Sequence, residues 1–288
     1  MNDLYQFHEH PGFENPPVIV GLDGWIDAGL GAANAIATLL STVETTTIAS
    51  FDSDALLDHR ARRPTMHLLD GVVEDLRWPA TELRAARDTV GNGFLMLVGA
   101  EPDHQWHAFT AAVVDLFLEL GVSLVAGFGA YPAPAPHTRP AMLSCTASTP
   151  ELAQAIGFVR GTLDVPAGVQ AAIEQRSHAH GIRSLGIWAQ VPHYVAGMPY
   201  PKASMALIEG FNALSGLQLD FGTLAQEAEE AQARIDTLIA GNDEHAAMVR
   251  SLEQQLDESS PAGPLPSGDD IAAEFERFLR DQPPGGTA

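Results

Sequence analysis

PVIVGLDGWIDAGLGAANAIATLL, residues 17–40, changes character halfway along and sets the reading of the whole chain. Val18, Ile19 and Val20 form the short β-branched run of a strand buried on both faces. Leu30, Ala33, Ala37 and Leu40 then recur at three- and four-residue steps, which predicts the inward face of a helix. Between them lies Gly21-Leu-Asp-Gly-Trp-Ile-Asp-Ala-Gly29, a turn with two carboxylates, a tryptophan and three glycines. Loops that follow a strand's carboxyl end are where open α/β sheets bind ligands, and Asp27 is placed to cap the next helix.

Outward from this stretch the pattern repeats. Thr46–Phe51 reads as a second strand, which predicts a right-handed crossover between neighbouring parallel strands. Phe94–Val98 followed by Gln105–Leu120 is a further strand and helix, with Trp106, Phe109, Val113, Leu116 and Leu120 on one face. Val122–Phe128 is another strand. Thr65–Leu69 and Gly71–Trp78 flank Asp70-Gly71, a two-residue turn that predicts an antiparallel hairpin outside the main sheet. Tyr131–Ala141 carries four prolines and must run extended, presenting His137, Thr138 and Arg139. Met142–Ala147 and Ile182–Val191 read as late strands. Pro166–His180 and Pro201–Asn212 read as helices.

From Phe221 only helical spacing remains. Leu224, Ala228, Ala231, Ile235 and Leu238 form one seam, and His245, Val249, Leu252 and Leu256 a second. Gly241-Asn242-Asp243 between them offers a stop and a start, which predicts a helical hairpin. The predicted organisation is an α/β body over 1–216, a helical hairpin over 217–258, and a linker with a short tail helix over 259–288. On that tail Ile271, Phe275 and Phe278 share a face and are candidates for contact with a partner.

Composition narrows the function classes. The 288 residues hold 15 basic and 37 acidic side chains, 15 − 37 = −22, which repels nucleic acid and anionic membranes. Residues 217–288 carry 4 bases and 15 acids, 4 − 15 = −11, so half the excess lies in the last quarter. A single cysteine, Cys145, excludes an intrachain disulfide framework and fits the cytoplasm. The first residues lack a signal peptide's pattern, and no apolar run reaches membrane-spanning length. Phosphate loops and zinc spacings are missing: Gly29-Leu-Gly31 lacks its third glycine, and His104-Gln-Trp-His107 lacks the hydrolase glutamate. No metal or cofactor is expected. The strand-end loops gather Asp23, Trp25, Asp27, Glu101, His137, Arg139, His193 and Tyr194, the candidates for a ligand crevice.

Gly24–Gly29 (GWIDAG), Asp58–Pro64 (DHRARRP), Gly99–Trp106 (GAEPDHQW), Pro136–Pro140 (PHTRP) and Val191–Tyr194 (VPHY) together resemble the bacterial branch of the proteasome assembly chaperone 2 family. The resemblance implies a three-layer α/β/α fold with a mixed, mainly parallel central sheet of the phosphorylase/hydrolase-like kind. It implies a homo-oligomer and a chaperone-like or scaffold role toward a protein client, proteasome-related, without ATP. It transfers no catalytic residue. Some archaeal relatives engage the proteasome through a hydrophobic-tyrosine-any-residue ending. Gly285-Gly-Thr-Ala288 has no such pattern, so another surface is expected to make any such contact. The alternative function is a small-ligand binder or hydrolase/phosphorylase-like enzyme using the strand-end crevice.

Overall fold

A computed structural model describes residues 4–24, 26–158 and 162–259. In chain order these form β1 (Tyr5–Phe7), β2 (Pro17–Asp23), α1 (Gly31–Thr42), β3 (Thr45–Phe51), α2 (Ser53–Leu56), β4 (Thr65–Leu69), β5 (Val72–Arg77), β6 (Thr81–Arg87) and β7 (Gly93–Ala100). There follow α3 (Trp106–Glu119), β8 (Leu124–Ala133), β9 (Leu143–Ala147), α4 (Pro150–Ile156), α5 (Val169–Ala179), β10 (Arg183–Pro192), α6 (Pro201–Ser215), α7 (Leu224–Ala240) and α8 (Asp243–Ser259). Trp25, Ile271, Phe275 and Phe278 lie outside the described residues.

Eight strands form one sheet in the order β1-β3-β6-β7-β2-β8-β10-β9. Strands β7, β2, β8 and β10 are parallel neighbours, while β1, β6 and β9 run against them toward the two edges. Helices cover both faces. Ile19, Met96, Ala126 and Leu185 meet Ile36 and Leu39 of α1 and Leu207 and Phe211 of α6 on one side. Val18, Val20, Leu95 and Val125 meet Phe109, Val113 and Phe117 of α3 and Ile173 of α5 on the other. Successive residues of β2 therefore face opposite layers, and Val18, Ile19 and Val20 are all buried, which is why that run is continuously apolar rather than alternating. The three-layer α/β/α reading holds.

Two local expectations are corrected. The first crossover does not join neighbours: β2 pairs with β7 and β8, and β3 pairs with β1 and β6, so two strands stand between β2 and β3. The inserted β6 is a short, partly charged strand that the apolar pattern did not reveal. The buried stripe of α1 is Ala32, Ala35, Ile36 and Leu39, one position off the predicted one. Leu30 is 48% exposed because a 3-10 turn over Ala28–Leu30 leaves it left-handed, with φ at 53° and its side chain outside the core.

The Asp70-Gly71 hairpin forms as expected, with both turn residues at positive φ, 48° and 84°. It is a sheet of its own, and every residue of β4 and β5 is exposed. Met66, Leu68, Leu69, Val72, Val73 and Leu76 stand in solvent, Val72 at 64%. At its base the Trp78 ring meets His59 edge-on, 4.9 Å between centroids.

Candidate functional site

The carboxyl ends of β2, β7 and β8 border a cavity of about 930 Å³. Asp23 ends β2, Glu101 follows β7, Tyr131 sits late in β8, and Ser144, Cys145 and Thr146 come from β9. Gln170 and Glu174 enter from α5, and Trp188 from β10.

Each carboxylate has a different occupation. Asp27 accepts the N–H groups of Ala32 at 2.7 Å and Ala33 at 2.9 Å, capping α1 across the 3-10 turn. Desolvation pushes its carboxyl above the ordinary range, against the pull of those backbone N–H groups. Glu101, buried at 8% exposure, accepts the N–H of Val169 at 2.6 Å and so caps α5 from another strand. Asp23 is exposed at the cavity mouth; desolvation and the charge of Asp27 raise its carboxyl pKa, and Arg62 opposes them. Arg62 is itself engaged by Asp103 at 3.2 Å.

Glu174 is likewise buried, only 9% exposed. Gln170 donates to one of its oxygens at 3.1 Å and Thr146 to the other at 3.3 Å. The Trp188 indole N–H in turn donates to the Thr146 hydroxyl at 3.2 Å. Burial pushes the Glu174 carboxyl up to about 7, against those two hydrogen bonds. In the unfolded chain it titrates near 4.5. The folded state thus holds the extra proton, and its stabilising contribution is full below pH 4.5 and lost as pH rises toward about 7. Glu174→Gln is expected to remove that slope, worth about 3 kcal/mol, and to gain relative to wild type above pH 7. Urea denaturation of both proteins between pH 5 and 8 reads this directly, and parallel curves would refute it.

Of the sequence-predicted candidates that lie among the described residues, the fold brings Asp23, Asp27 and Glu101 to the cavity, and sends His137, Arg139, His193 and Tyr194 elsewhere. His137, 1% exposed, lies between the Tyr194 hydroxyl, 2.7 Å from Nδ1, and Asp236 of α7, 3.0 Å from Nε2. Its backbone N–H also donates to the Tyr194 hydroxyl at 2.9 Å. The Arg139 guanidinium pairs with Asp257 of α8 at 3.1 Å and Glu253 at 3.4 Å, and Thr138 donates to Glu253. Lys202, the single lysine, donates to the His137 carbonyl at 2.8 Å and to Gln232 of α7. The proline-rich loop is therefore the dock for the helical hairpin. The His193 ring packs edge-on against Tyr194, 5.3 Å between centroids, and it too is absent from the cavity lining.

Sequence reading missed Glu174, Gln170, Thr146, Tyr131 and Trp188. The available signal was glycine: a side chain at Gly186 would come within 2.7 Å of the Thr146 hydroxyl and 2.8 Å of both Glu174 Oε1 and Trp188 Nε1. Among the described residues, no group of three or more His, Cys, Asp or Glu side chains could hold a metal ion, and no helix is long and apolar enough to cross a membrane.

The PAC2 family profile matches residues 21–239. A Corynebacterium glutamicum protein of unknown function is similar in structure, with a TM-score of 0.84 and 28% identity over 91% of this chain and 99% of its own. Mycobacterium tuberculosis Rv2714, also of unknown function, aligns at TM-score 0.83 and 35% identity, covering 97% of this chain and 96% of its own. The Mycobacterium tuberculosis proteasome-assembly chaperone homologue Rv2125 aligns at TM-score 0.74 and 30% identity, over 81% of this chain and 99% of its own. No curated protein sequence matches the chain.

Proposed function

This chain belongs to the PAC2 family, and from that membership we propose that it acts as a chaperone-like scaffold: it self-associates and holds a protein partner, without ATP, in the cytoplasm. The partner is proteasome-related, a reading supported by the similarity to the proteasome-assembly chaperone homologue of Mycobacterium tuberculosis. The phosphorylase/hydrolase-like sheet is the rigid platform for that task.

The observation that carries this reading is the β4–β5 hairpin. A lone two-stranded hairpin is marginal in water and becomes stable when a face is covered. Here six large apolar side chains on the two strands stand uncovered, and the outer edges of a two-stranded sheet offer unpaired N–H and C=O groups to an incoming strand. Such a surface fits a protein better than a small solute. Copies carrying a formal charge of −22 repel one another, so self-association through this surface is expected to strengthen with salt.

Sedimentation of the full chain at low and high salt tests self-association. Reconstitution of proteasome rings from purified subunits, with and without the chain, tests the client. A chain that stays monomeric at micromolar concentration and leaves ring yield unchanged would remove the proposal.

A further inference from the structure

We propose that the strand-end cavity binds a small amine with an apolar body, its protonated nitrogen held by Glu174, while the other carboxylates of the lining, Asp23 among them, favour a cation over an anion. This site is separate from the hairpin surface and does not rest on the chaperone reading. At about 930 Å³ the cavity is at the upper end of the range of small-molecule sites. Ile36, Phe128, Leu163, Val165 and Trp188 give it largely apolar walls, with Trp188 as an aromatic face.

The polar groups select the head of the ligand. Two helices, α1 and α5, turn their amino ends toward the cavity, an arrangement that ordinarily favours phosphate or carboxylate. Both ends are already taken by the chain's own carboxylates, Asp27 on α1 and Glu101 on α5. An incoming anion would find those donors occupied and four carboxyl groups around it. Among the described lining residues there is no lysine or arginine, and Arg62 nearby is committed to Asp103. Asp23 and Glu174 are the two carboxyls that cap no helix. The space beside Glu174 is kept by Gly186, where a β-carbon would crowd the Thr146–Glu174–Trp188 group.

A neighbouring ammonium favours the ionised form of Glu174, so binding near neutral pH releases a proton. The groups that face Glu174 are Gln170 on its own helix, Thr146 and Cys145 on β9 and Trp188 on β10; Asp23, Asp27 and Glu101 share the cavity. Burial, and next the charge of Glu174, raise the Cys145 thiol, and burial pushes the Glu174 carboxyl up to about 7.

The experiment is calorimetry and thermal shift on the full chain at pH 6 and pH 8. The probes are phenethylamine, tryptamine and cyclohexylamine, with phenylacetate, 2-phenylethanol and inorganic phosphate as comparisons. At least one amine is expected to bind, about tenfold more tightly at pH 8 than at pH 6, while phenylacetate and phosphate do not. Glu174→Gln is expected to abolish the pH dependence, and Asp23→Asn to weaken binding at both pH values. Ala171→Trp, at an exposed lining position, fills the mouth and serves as the blocking variant if Glu174→Gln fails to fold. The proposal is overturned if no amine binds, if phenylacetate binds as well as the amines, or if amine affinity survives both Asp23→Asn and Ala171→Trp.

Discussion

Replacing Met66, Leu68 and Leu76 together by serine is expected to abolish self-association and partner binding while leaving the fold intact. By register Met66 lies opposite Leu76 and Leu68 opposite Val73, so the triple change removes both members of the first pair and one of the second. Covering one such side chain contributes about 1.5–3 kcal/mol, so losing three costs at least about 4 kcal/mol, roughly a thousandfold in dissociation constant. In the isolated chain these side chains are exposed, from 41% at Leu76 to 51% at Met66, and their removal leaves no core cavity. The melting temperature of the monomer should therefore barely move, since surface changes of this kind stay within about 0.5 kcal/mol. Sedimentation and subunit binding, measured beside thermal unfolding, separate the two effects. A triple variant that assembles like wild type would show that the hairpin is not the docking surface.

Gly99→Ala is expected to give the largest loss of stability of any single methyl added to this chain. Gly99 lies in β7 with φ at +114°, a region that L side chains rarely adopt. A β-carbon there would overlap the carbonyl oxygen of Ala80, and backbone gives way far less readily than the end of a side chain. That carbonyl accepts the N–H of Ala100 at 3.2 Å, and the Thr81 hydroxyl donates to the Ala100 carbonyl at 2.7 Å, so any shift breaks the β6–β7 seam. It also moves Glu101, two residues on, away from the N–H of Val169. Strain and clash together should cost roughly 3 kcal/mol or more, a fall in melting temperature of about 6–12 °C. Gly91→Ala is the control: φ there is +95° with nothing within 4 Å of the added atom, so it carries the conformational strain alone, about 1–2 kcal/mol. Equal losses at the two positions would mean that the contact with Ala80 contributes nothing.

Much of the secondary structure was legible because its causes are local. Val18–Val20 and Phe94–Val98 are uninterrupted apolar runs that only a covered strand explains, and Asp70-Gly71 is a turn whose conformation its own two residues prefer. The seam through Leu224, Ala228, Ala231 and Ile235 was equally plain, and all four are buried, but its fifth predicted member, Leu238, is 62% exposed. Elements without such a pattern were missed. Strand β6 reads Thr-Glu-Leu-Arg-Ala-Ala-Arg, and its burial comes from neighbours on either side rather than from its own apolar content.

The site was legible only in part, since a carboxylate in a loop does not announce its partner. Asp27 could be assigned to its own helix because the acceptor and the N–H groups of Ala32 and Ala33 lie five and six residues apart. Glu101 reaches Val169 across 68 residues, and Glu174 sits mid-helix, where the sequence offers only an ordinary exposed position.

By itself the sequence determined the continuously apolar strands and the periodic helices, the exposed turn of the hairpin, the acidic character and the family to which the chain belongs. Each of these depends on residues close together or on short motifs. Only the tertiary structure decided that β7 and β6 stand between β2 and β3, that Glu174 lines the cavity, and that His137 and Arg139 hold the helical hairpin. His137 meets Asp236 across 99 residues and Thr138 meets Glu253 across 115. Contacts at that separation follow from how whole layers pack, and packing brings together side chains that no periodicity along the chain connects.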